Sequence, residues 1–144
     1  MSMFRVFRIA ASGLTAERLR MDTIANNLAN ANTTRTEEGG PYRRQVPVFA
    51  PILDRAVSRG GRLGHGSTGA GVQVVGVMSD PSPPRLVYDP QHPDANADGY
   101  VEMPNVHVVT EMVDLITATR AYEANIVALN SAKSMAQRAL EIGR

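Results

Sequence analysis

From Val108 to Leu140 a side chain of one helical face returns at alternating spacings of four and three: Val108, Met112, Leu115, Thr119, Tyr122, Ile126, Leu129, Lys133, Ala136 and Leu140. All but Lys133 are apolar, small or aromatic. Near the other end Phe7, Leu14, Met21 and Leu28 recur every seven residues, with Ala10 or Ala11 and Ile24 or Ala25 between them. These spacings gather the side chains on one stripe of a helix, and such a stripe needs another helix to cover it. The pattern predicts a first helix from about Phe4 to Ala31 and a last helix from Val108 to about Ile142, with Gly143 just beyond. At about 1.5 Å per residue the two are roughly 40 and 50 Å long. Gly13 lies inside the first helix, costs about 1 kcal/mol relative to Ala, and marks a close helix crossing or a local bend. Glu17 and Arg18 interrupt the seam, so the helix is not a uniform coiled coil. Asn30 or Asn32 is the expected stop, because Asn tolerates the left-handed conformation that closes helices. Thr110 or a neighbour is the expected cap of the last helix.

The residues between have another period. Tyr42 to Phe49 reads as extended, with Pro47 restricting it to an edge or bulged strand. Val72 to Val77 is β-branched apart from Gln73 and Gly76 and predicts a short strand. Arg85 to Tyr88 and Tyr100 to Met103 are further short strands, the second following the Asp98-Gly99 turn signal. Gly60 to Gly71 reads as a loop or tight turn. The expected fold is therefore mainly α with a β/loop middle: long N- and C-terminal helices pack in a helical-bundle or coiled-coil assembly around a short, irregular, β-rich central region. Its parts are an N-terminal assembly segment (1–34), a central region (35–107) and a C-terminal assembly segment (108–144). Whether the helices meet within one subunit or between subunits is open from the seams.

Composition narrows the function. The 144 residues include three Phe, no Trp and no Cys, so core material is thin and disulfide, thiol and thiolate–metal chemistry is excluded. A formal net charge of +1 gives no general attraction to nucleic acid or an acidic membrane. The charge is uneven: Arg35 to Arg62 holds six Arg against three acids, and Asp80 to Glu102 holds five acids against Arg85. These regions either pair with neighbouring copies or partners, or form two solvated loops of opposite sign. Charges break every apolar run of the first twenty residues, which argues against a conventional cleaved signal. No stretch approaches the roughly 18 apolar residues of a membrane span, so no direct membrane insertion is expected.

Several strings imitate chemical sites. Gly64, Gly66 and Gly69 fit a dinucleotide fingerprint, but a strand follows where a helix is required. Asp94, Asn96, Asp98 and Gly99 resemble half a calcium loop, yet the twelfth position is Asn105 instead of a bidentate Glu. A turn held by Asx hydrogen bonds is the better reading. His65, His92 and His107 are isolated and read as surface or local hydrogen-bonding groups. No base accompanies Ser12, Thr15 or Lys133, and no carboxylate pair stands out. No catalytic, metal or cofactor residue is expected.

The polar residues of the long helices are more informative. Asn26, Asn27 and Asn30 share the end of the first helix, and Arg120 and Asn125 flank Tyr122 on the last. A buried amide needs partners and so rewards one packing register over others. Arg120 can fork to a carboxylate or a helix-end carbonyl, and Tyr122 fills a seam while keeping a polar tip.

The run Ala11-Ser12-Gly13-Leu14-Thr15-Ala16, continued by Arg20 to Asn30, resembles the N-terminal signature of bacterial flagellar rod and hook proteins. Asn105-Val106, Glu111 to Ile116 and Thr119 to Asn125 resemble the C-terminal signature of the same family. Asp94 to Val101 and the closing Leu140 to Arg144 point to its proximal rod branch, with His92-Pro93 where that family often has Asn-Pro. The resemblance implies a non-enzymatic structural subunit of the basal-body rod, exported without a cleaved signal and assembled in the periplasmic drive shaft. It implies as partners homologous proximal and distal rod proteins, other copies of the chain and the rod–export-gate adaptor FliE, with no nucleic acid. Ser12, Gly13, Leu14, Asp22, Asn26, Asn27 and Asn30 carry over from the first signature, and Glu111, Met112, Arg120, Tyr122, Asn125 and Lys133 from the second. With the seams, the candidate assembly interface is Phe7, Ser12, Gly13, Leu14, Met21, Asp22, Ile24, Asn26, Asn27, Leu28 and Asn30 on the first helix. On the last it is Met112, Leu115, Ile116, Arg120, Tyr122, Asn125, Ile126, Leu129, Lys133 and Leu140. A soluble helical adaptor or chaperone-like module is the alternative, explaining the seams but not the paired signatures.

Overall fold

The computed structural model describes residues 3–52 and 69–142. The expected loop from Gly60 to Gly71 lies mostly outside these residues, as do His65 and most of the glycine fingerprint. Two long helices, α1 (Met3–Ala29) and α2 (Val108–Ile142), flank four strands: β1 (Gln45–Pro51), β2 (Val72–Ser79), β3 (Arg85–Tyr88) and β4 (Tyr100–Met103). β1 pairs with β2, and β3 pairs with β4 in an antiparallel hairpin that sets Tyr88 opposite Tyr100 and Arg85 opposite Met103. Pro47 is tolerated because each strand of a two-stranded sheet is an edge. No described helix is long and apolar enough to cross a membrane.

The chain gathers into two compact units. One comprises Met1–Leu19, Val48–Gly76 and Ala118–Arg144, the other Arg20–Pro47 and Val77–Thr117. The two helices meet within a single subunit. In the second unit Asn27 touches Glu111 and Arg20 lies 3.8 Å from Asp114, so α1 and α2 run antiparallel there. In the first unit a Cβ on Gly13 would stand 3.0 Å from both amide atoms of Asn125. The missing side chain is what lets α1 approach α2 at that point.

α2 spans the expected residues, but the closure of α1 and the cap of α2 differ from expectation. α1 ends at Ala29, and among the described residues no non-glycine residue has positive φ, so neither Asn30 nor Asn32 closes it in a left-handed conformation. The end is closed by side-chain bonds instead: Asn30 Nδ2 donates to Asn26 O and Oδ1, each at 3.0 Å, while Ala31 N reaches Leu28 O. α2 begins before Thr110; the Glu111 amide donates to His107 O at 3.0 Å, which makes His107 the flanking residue.

The burial of α2 splits the seam read from the sequence. Leu115, Tyr122, Leu129 and Ala136 are half-buried, whereas Met112, Thr119, Ile126, Lys133 and Leu140 are exposed. The positions one residue earlier, Glu111, Ala118, Asn125 and Ala132, take the inner places, and Glu111 and Ala118 have no exposed surface. Small side chains at 118 and 132 permit close packing, and the amide and carboxylate can stay inside only if they are hydrogen-bonded. On α1 the open alternatives are resolved: Ala10 and Ile24 are buried, Ala11 and Ala25 exposed, and Phe7, Leu14, Met21 and Leu28 half-buried.

Candidate assembly surface

In the second unit the last two turns of α1, the first turns of α2 and the lead-in to β1 meet at a buried polar cluster. Asn27 is 1% exposed, and all four capacities of its amide are used. Its Nδ2 donates to Gln45 O (2.9 Å) and Glu111 Oε2 (3.1 Å), while its Oδ1 accepts from Gln45 N and Tyr42 OH, each at 2.9 Å. The side chain thus pairs with the Gln45 backbone as a neighbouring strand would. Glu111 Oε1 accepts from Arg44 Nε at 2.5 Å. The same guanidinium lies 3.7 Å from Asp80 and 3.6 Å from Asp114. Arg44 is itself fixed by its backbone: its N–H donates to Asn105 Oδ1 (2.8 Å) and its carbonyl accepts from Asp80 N (2.7 Å). Burial, followed by the negative charge of Glu111, holds the Tyr42 phenol above its ordinary 10.0. Hydrogen bonds from the Ser82 hydroxyl and backbone N–H hold Asp80 below 3.8, with Arg44 adding to the effect.

These pairs answer the question of the unevenly charged middle. Arg35 binds Asp94 at 2.6 Å and Arg44 reaches Asp80, so parts of the basic and acidic regions pair with each other inside one subunit. The imitation calcium loop is likewise accounted for. Asp94 Oδ2 accepts from Thr34 Oγ1 (2.8 Å) as its other oxygen takes Arg35. Asn96 Oδ1 accepts from Asp98 N (3.0 Å) and Tyr100 N (2.9 Å), an Asx-held turn that Gly99 completes at φ +80°. Asp94 N donates to His92 Nδ1 (3.1 Å), a local bond of the kind expected for that histidine. Among the described residues no group of three or more His, Asp or Glu side chains is placed to hold a metal ion.

In the first unit the chemistry is steric. Ser12 Oγ donates to Ile9 O (2.7 Å) and accepts from Val72 N (3.1 Å), latching the start of β2 to α1. Gly71, at φ +129°, lies so close that a Cβ there would overlap Ser12 Oγ. Asn125 Nδ2 bonds Ala121 O one turn back (3.1 Å) while its side chain faces Gly13.

The other residues singled out in the sequence lie at the surface. Asp22, Asn26, Arg120, Ile126, Lys133 and Leu140 are exposed. On the first turns of α2, Val109, Met112, Val113 and Ile116 are 76%, 53%, 57% and 54% exposed, and their spacing of i, i+3, i+4 and i+7 makes one apolar stripe. Reading the sequence for sites overlooked Arg44, Tyr42 and Asn105. The seven-residue recurrence of Glu111, Ala118, Asn125 and Ala132, a small-or-polar heptad beside the apolar one, marks Glu111, the partner of Arg44, but none of the three.

The comparisons with known proteins define the class first. Residues 7–35 match the family described as flagella basal body rod protein, and residues 97–142 match the C-terminal region of the flagellar basal body rod FlgEFG proteins. Over 99% of its length the chain is 49% identical to the flagellar basal-body rod protein FlgC of Borreliella burgdorferi, covering 98% of that protein. It is 46% identical to FlgC of Bacillus subtilis and 42% identical to FlgC of Salmonella typhimurium, each over the whole of both chains. The chain belongs to the flagellar basal-body rod protein FlgC family, and it is a structural subunit of the rod. Full-length similarity to rod proteins displaces the soluble-adaptor alternative.

Proposed function

We propose that the chain occupies the proximal part of the rod, where it polymerises with other copies of itself and with homologous proximal and distal rod proteins, in contact with the adaptor FliE. In this reading residues 1–34 and 108–144 are the assembly segments and residues 35–107 set the place of the subunit. The location is the rod crossing the periplasm, reached by export without a cleaved signal. The observation that carries it is the exposed apolar stripe Val109, Met112, Val113 and Ile116. Four large apolar side chains held in water on two helical turns are favourable only when another surface covers them.

The candidate residues then divide by task. Met112, Ile116, Ile126 and Leu140 supply apolar contact, with Arg120, Lys133, Asp22 and Asn26 as polar neighbours that select register. Phe7, Leu14, Met21, Leu28, Leu115, Tyr122 and Leu129 are half-buried and add the apolar area they leave exposed. Ser12, Gly13 and Asn125 in one unit, and Ile24, Asn27 and Asn30 in the other, hold the helices in place. Contacts of this heterologous kind propagate a helical filament, and torque passes through the packed faces. Density for the chain in an intact basal body tests position and neighbours directly. The double substitution Met112→Asp, Ile116→Asp is expected to abolish incorporation while leaving the subunit folded, since both positions are exposed. Recovery of that variant in purified basal bodies at the parental level would sink the proposal.

A further inference from the structure

We infer that Asn27, Glu111 and Arg44 form a rotational lock on α2, a positioning device that keeps the more apolar face of the helix turned outward. The consequence for assembly rests on the reading of that face given above. The inner face of the first turns of α2 carries Glu111, Asp114, Leu115 and Ala118; the outer face carries Val109, Met112, Val113 and Ile116. At about 100° per residue the outer stripe is centred about 150° around the helix from Glu111. Apolar burial alone would turn the helix the other way, because the outer face is the richer in large hydrocarbon. What opposes that rotation is a two-point attachment: each oxygen of the Glu111 carboxylate is held by a donor on a different element, Nδ2 of Asn27 on α1 and Nε of Arg44 before β1. Neither donor can follow a rolling helix. Asn27 is tied to both backbone groups of Gln45, and Arg44 is tied through its own N–H and C=O. A carboxylate with no exposed surface cannot exchange these partners for water without leaving the interior. The lock therefore spends burial of a charged group to fix which side of α2 is displayed.

The chain has no cysteine, so single introduced probes report cleanly. Met112→Cys samples the outer face and Ala118→Cys the inner one. In dilute full-length protein with the cluster intact, the probe at 112 is expected to react with a maleimide about tenfold or more faster than the probe at 118. Adding Glu111→Leu is expected to erase or reverse that ratio while far-ultraviolet helicity is retained. An unchanged ratio in a helical Glu111→Leu protein overturns the lock. Should that variant lose its helix, Glu111→Gln keeps the shape, removes the charge and decides the matter. A ratio lowered about threefold or more supports the lock. An unchanged ratio, or loss of the helix there as well, overturns it in favour of a purely stabilising role. The labelling is read on the isolated subunit, so a failed lock and a failed rod placement are separate results.

Discussion

The two compact units solve the same problem, holding α1 against α2, by opposite chemistry. Around Asn27 and Glu111 the helices are joined by a charged, hydrogen-bonded cluster whose two central residues, Asn27 and Glu111, have almost no exposed surface. Around Gly13 and Asn125, in the unit that also buries Ala10, Ala16 and Ala132, they are joined by the absence of a side chain on Gly13. A polar junction specifies direction and rotation, because each bond has one geometry and an unmet partner is costly. A small-residue junction specifies distance, because any added volume has nowhere to go. The difference assigns orientation to one unit and closeness of approach to the other.

The sharpest way to break this contrast is Arg44→Ala. It leaves Glu111 buried without its cation, and loss of one partner of a buried ion pair typically costs about 3–5 kcal/mol. Urea denaturation should register a loss of that order; a change within about 0.5 kcal/mol, the range of an ordinary surface substitution, would show that the cluster does not hold the unit. The close contact of β2 with α1 in the other unit should respond next. Gly71→Ala forces a side chain onto a positive-φ residue and against Ser12 Oγ, and is expected to cost about 1–3 kcal/mol. Combining it with Ser12→Ala should recover the part due to overlap and leave the part due to φ, so a non-additive double-mutant cycle in thermal unfolding is the expected result.

The smallest effect is electrostatic and belongs to the polar unit alone. The folded protein holds the Tyr42 phenol above 10.0, so near that pH the unfolded chain binds fewer protons than the folded one. Stability due to this group is full below pH 10 and falls as pH rises through the raised folded value. Tyr42→Phe should remove that alkaline slope, measured by denaturation at several pH values. An identical slope in the variant would assign it to another group.

Much of the fold was legible in the chain. The strands β3 and β4 fall where Arg85 to Tyr88 and Tyr100 to Met103 were expected, and both long helices span nearly the expected residues. These are local matters: β-branched runs, Asp-Gly and Pro breaks, and helical spacing act within a few residues. The end of α1 was less legible, because Asn30 closes it through its side chain toward Asn26 and not by a left-handed backbone. Both outcomes begin from the same asparagine. The imitation calcium loop was readable as a turn because Asn96 needs only its own neighbours, whereas the Asp94–Arg35 pair joins residues far apart in sequence.

By itself the sequence determined the elements, their order and the family, since local spacing and signature residues suffice for each. Only the tertiary structure decided which face of α2 is buried. Two heptads offset by one residue, one through Met112, Ile126 and Leu140 and the other through Glu111, Ala118 and Asn125, lie only about 100° apart on the helix. The apolar pattern favours the first, yet the chain buries the second. The reason lies 67 positions away in sequence, where Arg44 meets Glu111. A bond between such distant residues exists only once the chain has folded, and no periodicity within the helix encodes it.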